Sequence, residues 1–349
     1  MTERQRIKRW IHFGDTDLIP WQINCTTLLA DRLLEELDLG AKRHDTGTRH
    51  ILKYSRLDDF FGNHIVYARN RGLKSMRESE PGIWRDEWGV LWDRRIDRDI
   101  GVPINCLLES GSLSEFSVPD PDDPDRYRHV QPIIENNQDR YVLAKFSYSL
   151  FERAWSLRGM ENLFIDFSEN TPFVHDLMRS ICDFNLKIMR NLASFRIDGI
   201  YFGDDWGSQK AMLMSPEMWR QFIKPYLKEM YSQAHSQGYD VFIHSCGHIT
   251  PILDDLIEIG LNVFNPFQPE VMDLHSLMKR YSRRLAFYGS LSIQKTLPFG
   301  TAEEVQVEVQ DRISLARAYG GLIISPSHDM PPDVPVENIL AMISAIKNQ

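Results

Sequence analysis

The chain has 349 residues, 42% hydrophobic and 26% charged, enough for one large core or for two domains. A formal net charge of −9, with no basic run beyond Arg4, Arg6, Lys8 and Arg9, argues against nucleic acid and anionic membrane as partners and leaves small molecules or proteins. With no apolar stretch near the roughly 18 residues of a membrane span, no signal peptide at Met1-Thr2-Glu3-Arg4 and four scattered cysteines that make no disulfide framework, a cytoplasmic protein in a reducing compartment is expected.

The first 140 residues are the less regular part. Residues 17–23 read as an opening strand, 25–37 as a helix and 63–68 as a second weak strand. Residues 83–92, which include Trp84, Trp88 and Trp92, read as a twisted hairpin lying over a barrel mouth, or else as a satellite cluster under a long loop. Residues 118–125 alternate proline with aspartate and read as surface loop, because each proline pushes its predecessor out of the helical region.

From about residue 140 the pattern changes. Apolar runs at 141–146, 199–202, 240–244, 261–264, 285–288 and 322–324 read as strands. Amphipathic helices fall between and after them at roughly 171–195, 216–237, 249–259, 273–281, 302–319 and 335–347. Pro216 and Pro335 sit in first helical turns, and Gly238, Gly260 and Gly320 stand at helix ends, each just before a strand. Such alternation marks βαβ units and a parallel sheet. Six clear strands and two weaker ones fit a closed eightfold barrel better than an open sheet, and no Gly-rich dinucleotide fingerprint follows any strand. The expected fold is therefore α/β, a TIM-type (β/α)8 barrel forming one domain over 1–349, with 141–349 as its regular repeats.

In such a barrel the carboxyl ends of the strands form the active rim. His244-Ser245-Cys246-Gly247 ends the strand 240–244, and side chains at i and i+2 leave a strand on one face, so His244 and Cys246 converge. Downstream, Ser325-Pro326-Ser327-His328 ends another strand on the same rim. His244, Cys246 and His328 supply the nitrogen, sulfur and nitrogen that a catalytic zinc takes while keeping one position open. Alternatively Cys246 is an ordinary buried thiol, and His244 a general acid or hydrogen-bond donor without metal.

Asp204 and Asp205 follow the strand 199–202, and two crowded acids in a partly dry mouth push one pKa up, as general acid or base chemistry requires. The bland alternative has Asp204 capping the next helical turn and Asp205 solvated. Asp204, Asp205 and His244 are thus the catalytic candidates. Trp21, Trp206, Gln209, Asn265, Gln268 and Tyr288 are the substrate-binding candidates. His12, His64, His129 and His175 lie outside any rim motif and read as surface or core histidines.

Gly203-Asp204-Asp205-Trp206-Gly207, His244-Ser245-Cys246-Gly247, Asn265-Pro266-Phe267-Gln268 and the stretch from Pro326 to Asn338 resemble the uroporphyrinogen decarboxylase superfamily, which includes zinc-dependent methyltransferases. The resemblance covers most of the chain from about Tyr141 onward and implies a TIM-type barrel with its pocket at the carboxyl ends of the strands. True decarboxylases of that superfamily grip a polycarboxylate with an N-terminal arginine-rich motif. Pro20-Trp21-Gln22-Ile23-Asn24-Cys25 has no such arginine. In the thiol-methylating branch the zinc ligands are His-X-Cys and a distant Cys, and here His328 stands where that last cysteine would be.

What the resemblance implies is a methyltransferase-like member, similar to the demethylating component of corrinoid O-demethylases. Such a protein moves a methyl group between a small substrate, for example a methyl ether, and a separate corrinoid protein. Zinc would act as Lewis acid, Asp204 or Asp205 would handle the proton, and a homodimer is expected. Two other readings stand beside it: a metal-free decarboxylase of a smaller cyclic acid, and a non-catalytic corrinoid or tetrapyrrole-binding module.

Overall fold

A computed structural model describes residues 1–39, 56–69, 76–97 and 100–349. Eleven strands are present among them: β1 (Ile65–Arg69), β2 (Met76–Glu80), β3 (Ile83–Asp86), β4 (Leu91–Asp93), β5 (Val102–Pro103), β6 (Tyr141–Phe146), β7 (Gly199–Gly203), β8 (Asp240–His244), β9 (Val263–Phe267), β10 (Ala286–Leu291) and β11 (Leu322–Pro326). Seven of them form one parallel sheet in the order β1-β6-β7-β8-β9-β10-β11. Every residue of β7, β9, β10 and β11 is buried, as expected when helices cover the outside and side chains fill the inside.

The eighth place is taken by residues 20–24. On one side the backbone pairs directly with β11: Gln22 N–H donates to the Ile324 carbonyl at 3.0 Å, and Ile324 N–H to the Pro20 carbonyl at 3.0 Å. On the β1 side, one long backbone bond from His64 N–H to the Trp21 carbonyl (3.4 Å) is supplemented by side-chain amides. Asn63 accepts from Ile23 N–H at 2.8 Å and donates to the Ile23 carbonyl at 2.9 Å, while Gln22 Oε1 accepts from Ile65 N–H at 3.0 Å. The expected TIM-type barrel is the fold, but the opening strand expected over 17–23 is not a regular strand: the segment makes only the isolated bridges Trp21–Ile324 and Cys25–Met330 and is stitched in by two buried amides.

Among the helices, Pro172–Leu192 follows the apolar periodicity closely, whereas in Ala302–Tyr319 the apolar residues Val305, Val307 and Val309 alternate and Val307 is left exposed. The single helix expected over 216–237 is two, Pro216–Phe222 and Lys224–Ser236, because Pro225 has no N–H to continue the ladder and its ring crowds the preceding turn. Helices Phe151–Arg158 and Met160–Glu169 were not expected. In the first, buried Arg153 and Ser156 interrupt the apolar stripe. The basic N-terminal cluster lies on the helix Glu3–Ile11, opened by a Thr2–Gln5 capping box. This helix covers the amino ends of the strands: Arg4 pairs with Asp198 at 2.7 Å and the Trp10 indole donates to the Leu322 carbonyl at 2.9 Å.

The aromatic hairpin exists as β3 and β4, with Trp84 opposite Trp92, and belongs to a separate four-stranded sheet in the order β2-β3-β4-β5. Its anchors are Trp92 against Tyr148 (5.0 Å between ring centres), Trp88 against Phe184 (4.8 Å) and the buried Asp86–Arg153 ion pair (2.7 Å). Tyr148 lies two residues past β6, so the hairpin flanks the rim at that sector. No helix among the described residues is long and apolar enough to cross a membrane.

At the opposite end of the barrel His12 Nε2 sits 2.8 Å from Asp240 Oδ1, and this hydrogen bond raises the imidazole pKa. A folded-state pKa above the unfolded value of about 6.5 gives stabilisation that is complete below that value and fades as pH rises through the raised one. The gap in Tm between wild type and His12→Gln should therefore be widest near pH 5.5 and shrink by about pH 9. A gap that ignores pH would remove the pair from the list of stabilising contacts.

Candidate metal centre

His244 is the last residue of β8, Cys246 lies two residues beyond it, and His328 lies two residues beyond the end of β11. The barrel brings the three together, with one ligand atom from each lying within 4.8 Å of the others. Cys246 Sγ is 3.4 Å from His244 Nε2, and the two imidazole rings are 5.3 Å apart at 66°. Tetrahedral zinc, with bonds of about 2.0–2.3 Å, sets N···N edges near 3.3 Å and N···S edges near 3.6 Å. The donor set is thus at coordination spacing on one edge and within about 1.5 Å of it on the others.

Backbone packing fixes Cys246. Every N–H from residue 245 to 248 is bonded: Ser245 to the Asn265 carbonyl (2.8 Å), Cys246 to Asp205 Oδ1 (2.8 Å), Gly247 to Gln268 Oε1 (2.7 Å) and His248 to the Ser208 carbonyl (2.8 Å). Gly247 has φ +82°, and a Cβ there would lie 2.5 Å from both the Gly207 carbonyl carbon and the Ser208 oxygen. A Cβ on Gly207 would in turn lie 2.6 Å from the Cys246 oxygen. The two rim loops touch backbone to backbone, which only glycine permits on both sides.

The charges around the donors act on their protonation. Burial pushes His244 down to about 4, Asp205 pulling it up and His328 adding to the fall, so its imidazole is neutral at neutral pH. Burial, followed by the Asp205 and Glu152 carboxylates, holds the Cys246 thiol well above its ordinary value. A thiol so placed is a poor free nucleophile; a bound cation is what would favour its thiolate. The residues present fit a zinc-like cation.

Of the aspartate pair, one faces the site. Asp205, 36% exposed, has Oδ1 3.9 Å from His244 Nε2. Asp204 is fully buried and turned away. Its carboxylate accepts from the N–H groups of Leu150 (3.3 Å), Phe151 (3.0 Å) and Glu152 (2.8 Å) and from the Trp206 indole (2.7 Å). It caps the helix Phe151–Arg158, a contact about fifty residues distant in sequence rather than a local turn. Burial lifts Asp204 to about 6 against those donors.

The substrate-binding candidates fare unevenly. Trp21 is buried in barrel closure, its ring 4.1 Å from His64 and its indole bonded to the Phe61 carbonyl. Trp206 has no exposed surface and packs edge-on against Trp219 behind the rim. Gln268 holds Gly247, and Gln209 is exposed on the turn 208–211. Asn265 lies inside β9, with Oδ1 2.6 Å from His244 Nδ1. These five positions are accounted for by framework or surface, whereas Tyr288 lies in the barrel interior.

Tyr288 belongs to a polar belt that was not anticipated. Its hydroxyl is 2.7 Å from that of Tyr67 on β1, across strands that are not neighbours, and 3.0 Å from Asn24 Nδ2. Tyr201 on β7 donates to Asn265 Oδ1 at 2.6 Å, and the Lys145 ammonium lies 5.5 Å over both the Tyr67 and Tyr201 rings. Glu152 is a further missed carboxyl; burial and then Asp205 and Asp204 hold its pKa well above the ordinary range. Tyr67, Lys145 and Tyr201 share a signal: each is a polar interruption, in step with the two-residue alternation, of an otherwise apolar strand.

Residues 107–349 match the uroporphyrinogen decarboxylase (URO-D) family. Among solved structures, a methyltransferase from Methanosarcina mazei superposes with a TM-score of 0.76 at 16% identity, covering 100% of this chain and 99% of that one. A glycosylated endo-β-1,4-xylanase from Gloeophyllum trabeum gives a TM-score of 0.42 at 11% identity over 69% of this chain and 84% of its own. The first likeness is one of fold. No curated protein matches the chain.

Two substitutions test this geometry. Gly247→Ala must move one rim loop, and strain of this kind costs about 1–3 kcal/mol; urea unfolding should show that loss, and an unchanged midpoint would refute the close packing. Asp204→Ala should destabilise by about 3 kcal/mol or more, since it strands several buried donors, whereas Asp205→Ala, which removes one bond to the Cys246 N–H, should cost less, about 1–2 kcal/mol. Equal losses in the two variants would contradict the division of roles.

Proposed function

The chain belongs to the uroporphyrinogen decarboxylase family, and from there we propose that it is a zinc-dependent methyltransferase acting between a small substrate, such as a methyl ether, and a separate corrinoid protein. The observation that carries the reading is the convergence of one thiol and two imidazoles on the rim, within 4.8 Å of one another. His244, Cys246 and His328 would hold the metal. The chemistry zinc supplies when bound is Lewis-acid stabilisation of the oxygen or sulfur that loses or gains the methyl group.

The chain's own residues do the rest. Asp205, at 3.9 Å from His244 Nε2 and partly exposed, holds or releases the proton that accompanies transfer. The polar belt of Tyr67, Tyr201, Tyr288 and Lys145 beneath the donors orients the substrate's polar end. Asp205, Glu152 and Asp329 all act electrostatically on Cys246. A substrate bearing many carboxylates would meet the carboxylates of Asp205 and Asp329 there, and Pro20 to Cys25 offers no arginine to offset them. That favours methyl transfer over decarboxylation of a polyanionic tetrapyrrole.

Purified chain should take up one zinc per molecule and lose it in Cys246→Ala and in His328→Ala. With cob(I)alamin standing in for the corrinoid partner, an aryl methyl ether should be demethylated by the zinc-loaded protein, read as methylcobalamin absorbance. Turnover that is undiminished after chelation and in Cys246→Ala would overturn the proposal. Release of CO2 from a cyclic acid by metal-free protein would replace it with the decarboxylase reading.

A further inference from the structure

We propose that Asn265, assisted by Tyr201, is a positioning residue that locks His244 in its Nδ1–H tautomer and so aims the Nε2 lone pair at the point shared with Cys246 and His328. The inference rests on reading those three residues as metal ligands.

The orientation of the Asn265 amide follows from its bonds. Asn265 Nδ2 donates to the Tyr288 carbonyl at 2.9 Å, an atom that can only accept. The opposite end of the amide, Oδ1, therefore faces His244 Nδ1 at 2.6 Å. An amide oxygen can only accept, so Nδ1 carries the hydrogen and Nε2 is left with its lone pair. Tyr201 adds a second donor to the same oxygen at 2.6 Å, and its own oxygen lies 3.1 Å from His244 Nδ1. Nε2 is the atom 3.4 Å from Cys246 Sγ.

The contact is built into the sheet. His244 and Asn265 are register partners on β8 and β9, so their side chains leave the sheet on the same face one strand spacing apart. Asn265 is 5% exposed, and both ends of its amide are occupied. It has little left with which to read a substrate, and its role is exerted through the histidine. Removing the partner that orients a metal-bound imidazole typically weakens metal binding 10–100-fold.

Two measurements test this. In metal-free protein, nitrogen NMR of the His244 ring should show Nδ1 protonated, and Asn265→Leu should shift the population toward the Nε2–H form. Competition against a chromophoric chelator should show zinc binding about 10–100-fold weaker in Asn265→Leu. Asn265→Asp, which keeps an acceptor, should stay near wild type or bind more tightly, and Tyr201→Phe should lose less than Asn265→Leu. Because Asn265→Asp and Tyr201→Phe preserve the size of the side chain, the test survives misfolding of the leucine variant. Wild type that binds zinc, with Asn265→Asp as weak as Asn265→Leu or with no variant changed, overturns this inference alone. Wild type that binds no zinc overturns the metal reading instead.

Discussion

The site depends on the contact between two rim loops that meet without side chains. Gly207 and Gly247 approach so closely that a methyl group on either would overlap the other's backbone. The hydrogen bonds of residues 245–248 then leave the segment no freedom to drift. Cys246 owes its place to this backbone, not to contacts of its own sulfur. A short, fully bonded turn on the end of a buried strand is a stiff support, as a ligand set with an open position needs.

Around that support, neighbouring residues of one motif do opposite work. Asp204 turns away from the site and ties the amino end of the helix Phe151–Arg158 to β7; Asp205 faces the site and holds the Cys246 N–H. The same helix carries Glu152 toward the site and Arg153 toward Asp86 of the aromatic hairpin. One buried carboxylate thus links the rim, a site carboxyl and the flanking sheet. The concentration of Asp205, Glu152 and Asp329 makes the surroundings of Cys246 favourable to a cation and unfavourable to a free thiolate.

Much of the fold was legible in the sequence. The strands from residue 141 onward are apolar runs too short for helices, and the helix Pro172–Leu192 carries a clear amphipathic stripe. The break at Ile223 follows from Pro225, a signal present in the sequence and overridden by the strength of the surrounding pattern. Helix Phe151–Arg158 was hidden because its buried Arg153 and its amino end are satisfied by partners far along the chain, Arg153 by Asp86 and the amino end by Asp204. The opening strand was weak for a similar reason, since half of its pairing is made by the amides of Gln22 and Asn63.

By itself the sequence determined which residue types stand at the ends of strands: His244 and Cys246 two apart, His328 after a later strand, and glycines where no side chain fits. That is local information, carried by the two-residue period of a strand and by the short turns after it. The tertiary structure decided which of these side chains share a point in space. It separated Asp205 from Asp204, moved Trp21, Trp206 and Gln268 into the framework, turned Asn265 toward His244, and assembled Tyr67, Tyr201 and Tyr288 from three strands into one belt. The physical reason is closure of the barrel, which makes neighbours of residues far apart in the chain, 264 positions in the case of Asn24 and Tyr288.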